Sequence, residues 1–311
     1  MHSAGAYGPE IGHNADGQPW FRIGDYVLQG VRYENSAFMD MDLRLQAMDK
    51  AGIDFQVLSP NPLTYFHFIE SPQAINFCQR HNDELQLRVA HAPHRLAGLA
   101  ALPMQEITAA CDELERAVLE LGLIGAYIGT DIGRPLDSPE MDPFYEKLVA
   151  LDVPLFIHPA PAGIDGPKGD SNLNRFDLDI LTGFAAQETI AVATLIFGGV
   201  LDRHPNLSVC FSHAGGAIPM LIGRLNEAGN RRPWASENLR KDGAFESYLS
   251  KLWFDAHIHD QRVLDFAITI LGKDNLVLGT NFAGWDQHQI HGDDAWLNCL
   301  ANNARRLLRF N

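Results

Sequence analysis

The sequence has little of what marks several common classes of protein. Its four cysteines, Cys78, Cys111, Cys210 and Cys299, lie far apart and form no CxxC pair. Each falls in an apolar stretch, so we expect reduced core thiols and a cytoplasmic protein rather than a disulfide framework. No charged start is followed by an apolar h-region, so we expect no signal peptide.

Positive charge is also scarce. The 311 residues include 24 Lys and Arg against 39 Asp and Glu, which gives a formal net charge of −15 at pH 7. Phosphate backbones and anionic membrane surfaces are bound by clusters of Lys and Arg, so we expect neither nucleic acid nor a membrane as a partner. The longest mostly apolar run, Thr189 to Leu201, is too short to span a bilayer.

From residue 39 onward, helical patterns alternate with short β-rich runs. These runs are continuously apolar, as expected for parallel strands buried on both faces. The seven runs cover residues 53–60, 96–103, 124–130, 153–159, 207–216, 252–259 and 276–281. The helical patterns cover residues 40–52, 71–91, 106–121, about 141–152, about 186–203, from about 217, 261–272 and about 294–309. Ser71 and Pro72 are typical of an N-cap and the first helical position.

Seven strands, each followed by a helix, predict an α/β fold: a (β/α)₈ TIM barrel whose strand 1 is missing or atypical. Residues 1–38 hold no buried-type run, and "ADGQPWFRIGDYVLQGVRY" predicts an antiparallel hairpin that forms an N-terminal flap. No linker divides the chain, so we expect one barrel domain over residues 1–311. The alternative is a doubly wound open sheet, which the lack of a glycine-rich phosphate loop after any strand disfavours.

Chemistry in such barrels gathers at the carboxyl ends of the strands. Histidine follows three consecutive apolar runs, the fifth, sixth and seventh of an eight-strand count. Neutral imidazoles at one barrel mouth are suited to binding Zn²⁺ or a similar cation and to moving protons near neutral pH. The polar residues at the predicted strand ends are Ser59, His158, His213, His257, His259 and Asn281.

The motif "FDAHIHD" contains two histidines that could chelate one ion, because alternate residues of a strand face the same side. The pair lies on strand 7, however, and only His259 would stand at the mouth of that strand. We therefore expect His259 to be a polar, substrate-binding residue at the mouth rather than half of a metal-binding pair with His257.

Several segments in order resemble one family. They include "RLQAMDKAGIDFQVLSPNP", "VPLFIHP", "FSHAGG" and "NLVLGTN", and the resemblance covers about residues 43–281. The chain resembles the amidohydrolase-related proteins, a metal-dependent (β/α)₈ branch that contains 2-amino-3-carboxymuconate-6-semialdehyde decarboxylase and the aromatic-acid decarboxylases. "FIHP" followed by "FSHAGG" and "LGTN" at this spacing is specific, whereas any one of them alone is weak.

The resemblance implies roles for five residues. In the family, an HxH pair on strand 1, a histidine after strand 5 and an aspartate after strand 8 hold one metal, commonly zinc. His158 matches the strand-5 ligand, and Asn281 occupies the place of the aspartate. His213 matches the proton-transfer histidine of the decarboxylases. Arg22 of the flap and Arg232, contributed across a dimer interface, match arginines that bind substrate carboxylates.

The first departure from the family is the missing HxH pair. "MHSAG" offers His2 but Ala4, and only fifteen residues precede Asp16. Either the true start lies upstream of Met1 or the pair has been lost.

The second departure is Asn281, since an amide oxygen is a weak, neutral ligand and cannot act as a general base. We therefore expect a divalent metal, with zinc as the first candidate, to be weakly bound or absent. Asp286 and His288 from the following loop could compensate.

Three functions fit this sequence. The first is a non-oxidative decarboxylase, a carbon–carbon lyase acting on a small aromatic or muconate-type carboxylic acid. The second is a lactonase-like hydrolase or a hydratase on the same scaffold, which need not use a metal. The third is a catalytically degenerate subunit that supports an active homologue. We accordingly expect a homodimer or a hetero-oligomer with such a homologue.

Overall fold

Parallel strands separated by helices form the centre of the computed structural model, which describes residues 7–284, 286–287 and 292–310. The strands are β1 (Glu10–His13), β2 (Pro19–Ile23), β3 (Tyr26–Gln29), β4 (Gln56–Leu58), β5 (Leu96–Gly98), β6 (Ala100–Ala101), β7 (Ala126–Gly129), β8 (Leu155–His158), β9 (Val209–Phe211), β10 (Trp253–Asp255) and β11 (Leu276–Val277). The α-helices are α1 (Met41–Ala51), α2 (Ser71–His91), α3 (Ile107–Leu119), α4 (Asp142–Ala150), α5 (Phe184–Phe197), α6 (Val200–Arg203), α7 (Ile218–Arg231), α8 (Ala244–Leu249), α9 (Gln261–Leu271) and α10 (Asp294–Leu308).

The central strands follow one another in chain order. Strands β6 to β11 form a parallel sheet, and β4 pairs with β5 in parallel. Segments β5 and β6 are two parts of one strand: the amide of Leu99 donates to Leu58 O at 2.9 Å, and that of Ala100 donates to Gly125 O at 2.8 Å. The seven predicted strand positions are therefore confirmed. Within the described residues, no backbone ladder joins β4 to β11, where strand 1 of a complete barrel would lie.

The central strands are covered on both faces, as in the predicted (β/α)₈ barrel, and this fold class is confirmed. Ile128 and Ile157 are fully buried in the cluster that includes the outer helices. Their neighbours Tyr127 and Phe156 point the other way, into separate apolar clusters on the inner side. Burial on both faces explains why these strands are continuously apolar in sequence.

The N-terminal flap is a three-stranded antiparallel sheet in the order β1-β2-β3. The predicted hairpin corresponds to β2 and β3, and the structure adds β1 on its other side. Phe21 and Ile23 bury their side chains against Leu63 and Phe66, so one face of the flap is attached to the segment that follows β4.

The open side of the barrel is bridged by side chains. Arg44 of α1 is buried, donates from Nη1 to Gln56 Oε1 at 2.5 Å and lies with its guanidinium carbon 5.4 Å from the centroid of the Phe282 ring. Burial lowers the pKa of Arg44 to about 10. Phe310 likewise packs edge-on against Phe55, with ring centroids 5.2 Å apart. The first helix and the loop after the last strand are thereby held together.

Helix positions follow the predictions closely, with three differences. Helix α2 begins at Ser71, and its N-cap is Glu70 rather than Ser71, so the predicted N-cap was wrong by one residue. The long helix predicted near residues 186–203 is two helices, α5 and α6, because Gly199 at φ 70° breaks the run. The short helix α8, between α7 and β10, was not predicted.

All four cysteines are free, three of them buried and Cys299 partly buried. One stretch, Asp179–Phe197, passes a length and composition test for a membrane span, with a mean hydropathy of 1.6. A core helix of a soluble protein passes the same test, and Ala191, Val192 and Leu195 of this stretch lie in the core. This single stretch is therefore weak evidence for a span.

Candidate functional site

Four imidazoles form a row at the carboxyl ends of β8, β9 and β10. The ring centroids are separated by 5.0 Å between His158 and His213, 5.3 Å between His213 and His257, and 4.9 Å between His257 and His259. The structure thus brings together the strand-end histidines that the sequence placed at one barrel mouth.

The backbone at His213 is strained. His213 and Ala214 have φ values of 46° and 52°, and the glycines Gly215 and Gly216 continue with φ of 71° and 67°. A Cβ on Gly216 would lie 2.1 Å from the carbonyl oxygen of Ala185, so the chain passes helix α5 where a side chain cannot fit. Non-glycine residues held in this region are typical of functional sites, and here the turn faces the His213 ring toward α5.

Glu188 is a site residue that the sequence did not predict. It lies on α5 with no exposed surface, and its Oε1 is 2.9 Å from Nδ1 of His213. The signal was present in the sequence, since Glu188 is the one charged residue of a mostly apolar helical stretch, "FAAQETIAVATLIF". A carboxylate inside such a helix requires a partner at burial.

Burial and attraction act in opposite directions on this pair. Burial alone would lower the pKa of His213, but the charge of Glu188 and the hydrogen bond to it raise that pKa above its usual value, with smaller contributions from Asp255 and Asp286. Burial raises the pKa of Glu188, although His213 opposes that shift. We conclude that His213 holds its proton more firmly than a free imidazole does. Nδ1–H then donates to Glu188, and Nε2–H remains for another group.

His158, in contrast to His213, is held in its neutral form. Its Nδ1 lies 2.6 Å from its neighbour Pro159 O, which fixes the proton on Nδ1 and leaves the lone pair on Nε2. Burial, with a smaller contribution from the nearby His213, lowers the pKa of His158 to about 3. A neutral imidazole therefore stands beside a protonated one.

Aromatic side chains line one side of this imidazole row. The Phe184 ring lies 5.4 Å from His158 and 6.2 Å from His213, and the Tyr127 ring lies 6.0 Å from His158. Tyr127 is buried, and Ser59, another predicted strand-end residue, opposes the burial that raises the pKa of the Tyr127 hydroxyl. Flat, apolar walls beside paired charges suit an aromatic or conjugated acid.

Strand β10 ends at Asp255, four residues before the predicted end. Our expectation that His257 and His259 would lie on one strand, with His259 alone at its mouth, was wrong. The cause is local: the Asp255 carboxylate accepts the amide of His257 at 3.1 Å, which turns the chain out of the ladder. Both histidines consequently belong to the loop at the mouth.

Asp286 completes a group of possible metal ligands with this pair. Its Oδ2 lies 3.9 Å from Nε2 of His257 and 3.6 Å from Nε2 of His259. One ligand atom from each of the three residues falls within 4.8 Å of the others, and across residues 7–284, 286–287 and 292–310 this is the one such group of three. His288, the other residue considered as compensation, lies outside the described residues.

Asn281 faces Asp286. The residue has φ 42°, which asparagine tolerates better than most side chains, and its Nδ2 donates to Asp286 Oδ1. Of the family's metal positions, the described residues supply His158 and Asn281. These two join no imidazole or carboxylate trio within the described residues, and the side-chain amide of Asn281 supplies no anionic ligand.

The two predicted carboxylate-binding arginines lie on elements other than those that carry the histidine row. Arg22 stands on β2, forms an exposed ion pair with Glu10 and lies 5.7 Å from the Trp20 ring. Arg232 caps α7 and is exposed, two residues before Trp234, whose ring packs 4.9 Å from that of Phe197.

A parallel α/β barrel with imidazoles and carboxylates at the carboxyl ends of its strands defines the chain as a (β/α)₈-barrel protein of the enzyme type. The model of the amidohydrolase family matches residues 36–310, and the chain belongs to that family.

Three similar proteins illustrate this membership. The 2-amino-3-carboxymuconate-6-semialdehyde decarboxylase of Dictyostelium discoideum is 35% identical over 244 residues, which cover 78% of this chain and 66% of that protein. The gamma-resorcylate decarboxylase of a Rhizobium species is 29% identical over 292 residues, or 86% of each chain. A crystal structure of dihydroxybenzoic acid decarboxylase from Polaromonas, with bound manganese and 2-nitroresorcinol, matches at a TM-score of 0.71, 26% identity, and coverage of 87% of this chain and 86% of that one.

Proposed function

We propose that this chain is a non-oxidative decarboxylase of a small aromatic or muconate-type carboxylic acid. The observation that carries the proposal is the contact of His213 with buried Glu188, 2.9 Å away, at the mouth of the barrel and beside the Phe184 ring. The charge of Glu188 raises the pKa of His213. The decarboxylases among the relatives support the same reaction class.

The reaction requires the transfer of one proton to a carbon atom of the substrate. Nε2–H of His213 protonates the ring carbon that bears the carboxylate. The carbon–carbon bond to the carboxylate then breaks, its electron pair returns to the ring, and CO₂ leaves. His213 is left neutral and takes a proton from solvent, and Glu188 keeps its ring oriented throughout. Proton transfer by a positioned side chain contributes about 10²–10⁴-fold to such a rate.

Substrate binding is assigned to the mouth and to two arginines. Phe184 and Tyr127 would hold the flat face of the acid, while His259 offers an exposed polar contact. Arg22 and Arg232 would bind carboxylates through forked hydrogen bonds, the latter from a second copy of the chain. The exposed position of Arg232 supports a contribution across an interface.

A divalent metal is part of the proposal, in line with the manganese of the Polaromonas structure. Such an ion would hold the substrate carboxylate or a neighbouring hydroxyl and draw negative charge toward itself. At the family positions the resemblance implies His158, through Nε2, and Asn281 as ligands, whereas the group of possible ligands that the described residues bring together is His257, His259 and Asp286. The identity of the ion as zinc is likewise a proposal.

The test is CO₂ release from a panel of hydroxylated benzoates that begins with gamma-resorcylate. We expect turnover by the wild-type protein and a loss of about 10²–10⁴-fold in kcat in His213→Gln. His91→Ala is the matched control, because His91 also pairs with an aspartate, Asp42, at 2.9 Å on the outer surface. Full activity in His213→Gln would contradict the assignment.

The same assay separates the other two functions. Addition of water to the substrate, or hydrolysis of a lactone without CO₂ release, would favour the hydrolase or hydratase. Activity that arises only after mixing with a homologue would favour the degenerate subunit.

We further propose a homodimer of cytoplasmic single-domain chains. Large apolar side chains stand exposed on α5 and α7 and beside Arg232: Ile190 at 66%, Met220 at 76% and Trp234 at 52%. A second copy that covers them would bring Arg232 to the neighbouring site.

A further inference from the structure

We propose that the metal site of this protein has moved around the barrel mouth, to His257 and His259 after β10 and Asp286 after β11. In this arrangement Asn281 is a positioning residue that aims the Asp286 carboxylate and is not itself a ligand. The proposal deepens the proposed function, and it relies on that function only for the reaction that the metal serves.

The donor set is that of a transition-metal site. Two imidazoles and one carboxylate suit zinc as well as manganese or iron, and three protein ligands leave positions open for substrate or water. Metal–ligand bonds of about 2.0–2.2 Å place tetrahedral ligands about 3.3–3.6 Å apart. The observed 3.6 Å and 3.9 Å from Asp286 Oδ2 to the two imidazoles are close to that spacing.

The two imidazoles differ in how far they are exposed to solvent. His257 is buried, and its backbone amide donates to the Asp255 carboxylate at 3.1 Å. The His259 side chain is 55% exposed, and its Nε2 lies 3.6 Å from Asp286 Oδ2.

The loop after β11 is built around the Asn281 side chain. The amide of Gly284 donates to Asn281 O at 2.8 Å, and a Cβ on Gly284 would lie only 2.3 Å from Asn281 Nδ2. The amide of Ala283 donates to Gln287 Oε1 at 2.8 Å, which fixes the far side of the turn. Within this turn Asn281 binds Oδ1 of Asp286 and leaves Oδ2 facing the imidazoles.

This geometry explains why residue 281 is an asparagine where the family has an aspartate. The anionic ligand that the family carries at the strand end is supplied five residues later, by Asp286. An aspartate at position 281 would place a second carboxylate against the first, whereas the amide donates a hydrogen bond to it. Hydrogen-bond partners that orient ligands in this way are worth about 10–100-fold in metal affinity.

The first test is calorimetric titration of the tag-free protein, stripped of metal, with Zn²⁺. We expect one site per chain and a loss of affinity of about 100-fold or more in His257→Ala, His259→Ala and the isosteric Asp286→Asn. The matched control pair is His91→Ala and Asp42→Asn, an imidazole–carboxylate contact outside the mouth, which should change nothing. No binding by the wild type, or wild-type affinity in Asp286→Asn, would overturn the proposal.

A second comparison separates this site from the family's ligand set. We expect His158→Ala to change the Zn²⁺ affinity by less than about threefold, because the His213 ring stands between His158 and His257, the nearest proposed ligand. A loss in His158→Ala as large as that in His257→Ala would place the ion at the family position and overturn the relocation.

The positioning role of Asn281 has its own readout. Asn281→Gly keeps the φ of 42° without strain but removes the donor. We expect affinity to fall about 10–100-fold while the stoichiometry and the electron paramagnetic resonance spectrum of bound Mn²⁺ stay those of the wild type. A changed ligand signature would make Asn281 a ligand and contradict the positioning role.

These measurements are independent of turnover. Metal binding that depends on His257, His259 and Asp286 in a protein without CO₂ release would leave the site in place and refute the reaction. CO₂ release together with a Zn²⁺ affinity that substitution of these three residues leaves unchanged would support the reaction and refute the metal site.

Discussion

At the scale of single residues, Glu188 and His213 control each other's charge. The carboxylate has no exposed surface and touches one ring nitrogen of His213 at 2.9 Å. Its negative charge is therefore balanced mainly by the proton on that ring. A buried pair of this kind sets the working pH range of a proton donor.

Replacing Glu188 by glutamine should move the pH profile of the reaction toward acid. The folded environment raises the pKa of His213 through Glu188, so the proton donor persists above the ordinary imidazole value of about 6.5. Without the Glu188 anion, burial is opposed only by the smaller contributions of Asp255 and Asp286, so the pKa of His213 falls and the alkaline limb of kcat/KM shifts to lower pH. NMR titration of the His213 ring alongside the kinetics checks the assignment. An alkaline limb that does not move would show that Glu188 does not set this pKa.

Individual site residues were only partly predictable from sequence. His158 and His213 follow apolar runs and were placed correctly at the mouth, because parallel strands end on one side of a barrel. Glu188 was missed, since its partner is 25 positions away and the pairing depends on how α5 packs against the end of β9. Asp286 was noted as a compensating residue, but its contact with Asn281 depends on a turn that no pattern specifies.

At the scale of elements, the turn from β9 into α7 is the most constrained segment of the mouth. Gly216 passes within contact distance of the α5 backbone, and a Cβ there would meet Ala185 O at 2.1 Å and Thr189 Oγ1 at 2.9 Å. Because His213 begins this turn, the position of its ring depends on the approach of the two backbones.

Gly216→Ala should lower the free energy of unfolding by about 2–4 kcal/mol, because it adds both backbone strain at φ 67° and a steric clash. Gly223→Ala is the matched control on α7: nothing lies within 4 Å of a Cβ there, and alanine should stabilise the helix by about 0.5–1 kcal/mol. Urea unfolding of both variants measures the difference. Equal stability of the two would contradict the close approach.

Element identity was predictable and element ends were not. Continuous apolar runs located all seven strands, but β10 and β11 are shorter than their apolar runs. The run "LWFDAHIH" does not show that the Asp255 side chain accepts the His257 amide and ends the ladder. The helix α8 is only six residues long, and the sequence patterns did not separate it from the preceding loop.

At the scale of the whole molecule, the proposed homodimer can be tested by complementation. We expect a mass of about twice 34.5 kDa by light scattering. Arg232→Ala and His213→Gln should each be inactive alone, yet mixing them should restore about a quarter of wild-type activity, because heterodimers contain one intact site. The control mixture is His213→Gln with Glu188→Gln. Both residues belong to the site of their own subunit, so each site of a heterodimer carries one of the two substitutions and mixing should not raise the activity. No recovery in the first mixture would rule out a shared site.

The whole-molecule prediction succeeded because the barrel follows from repetition. Seven apolar runs alternating with helices leave few topologies once crossovers are right-handed. The flap was located from its turn residues, although its first strand was not. The single-domain assignment stays a prediction.

Arg44 has a consequence for attempts to redesign this protein. Its buried guanidinium stacks on Phe282, the residue after Asn281, and hydrogen-bonds to Gln56 beside the first central strand. The loop that carries Asp286 therefore cannot be exchanged without changing the residues that pack against it. A graft from another barrel must bring an aromatic side chain that packs on Arg44, or must replace Arg44 together with the loop, because otherwise the buried guanidinium loses the ring that covers it.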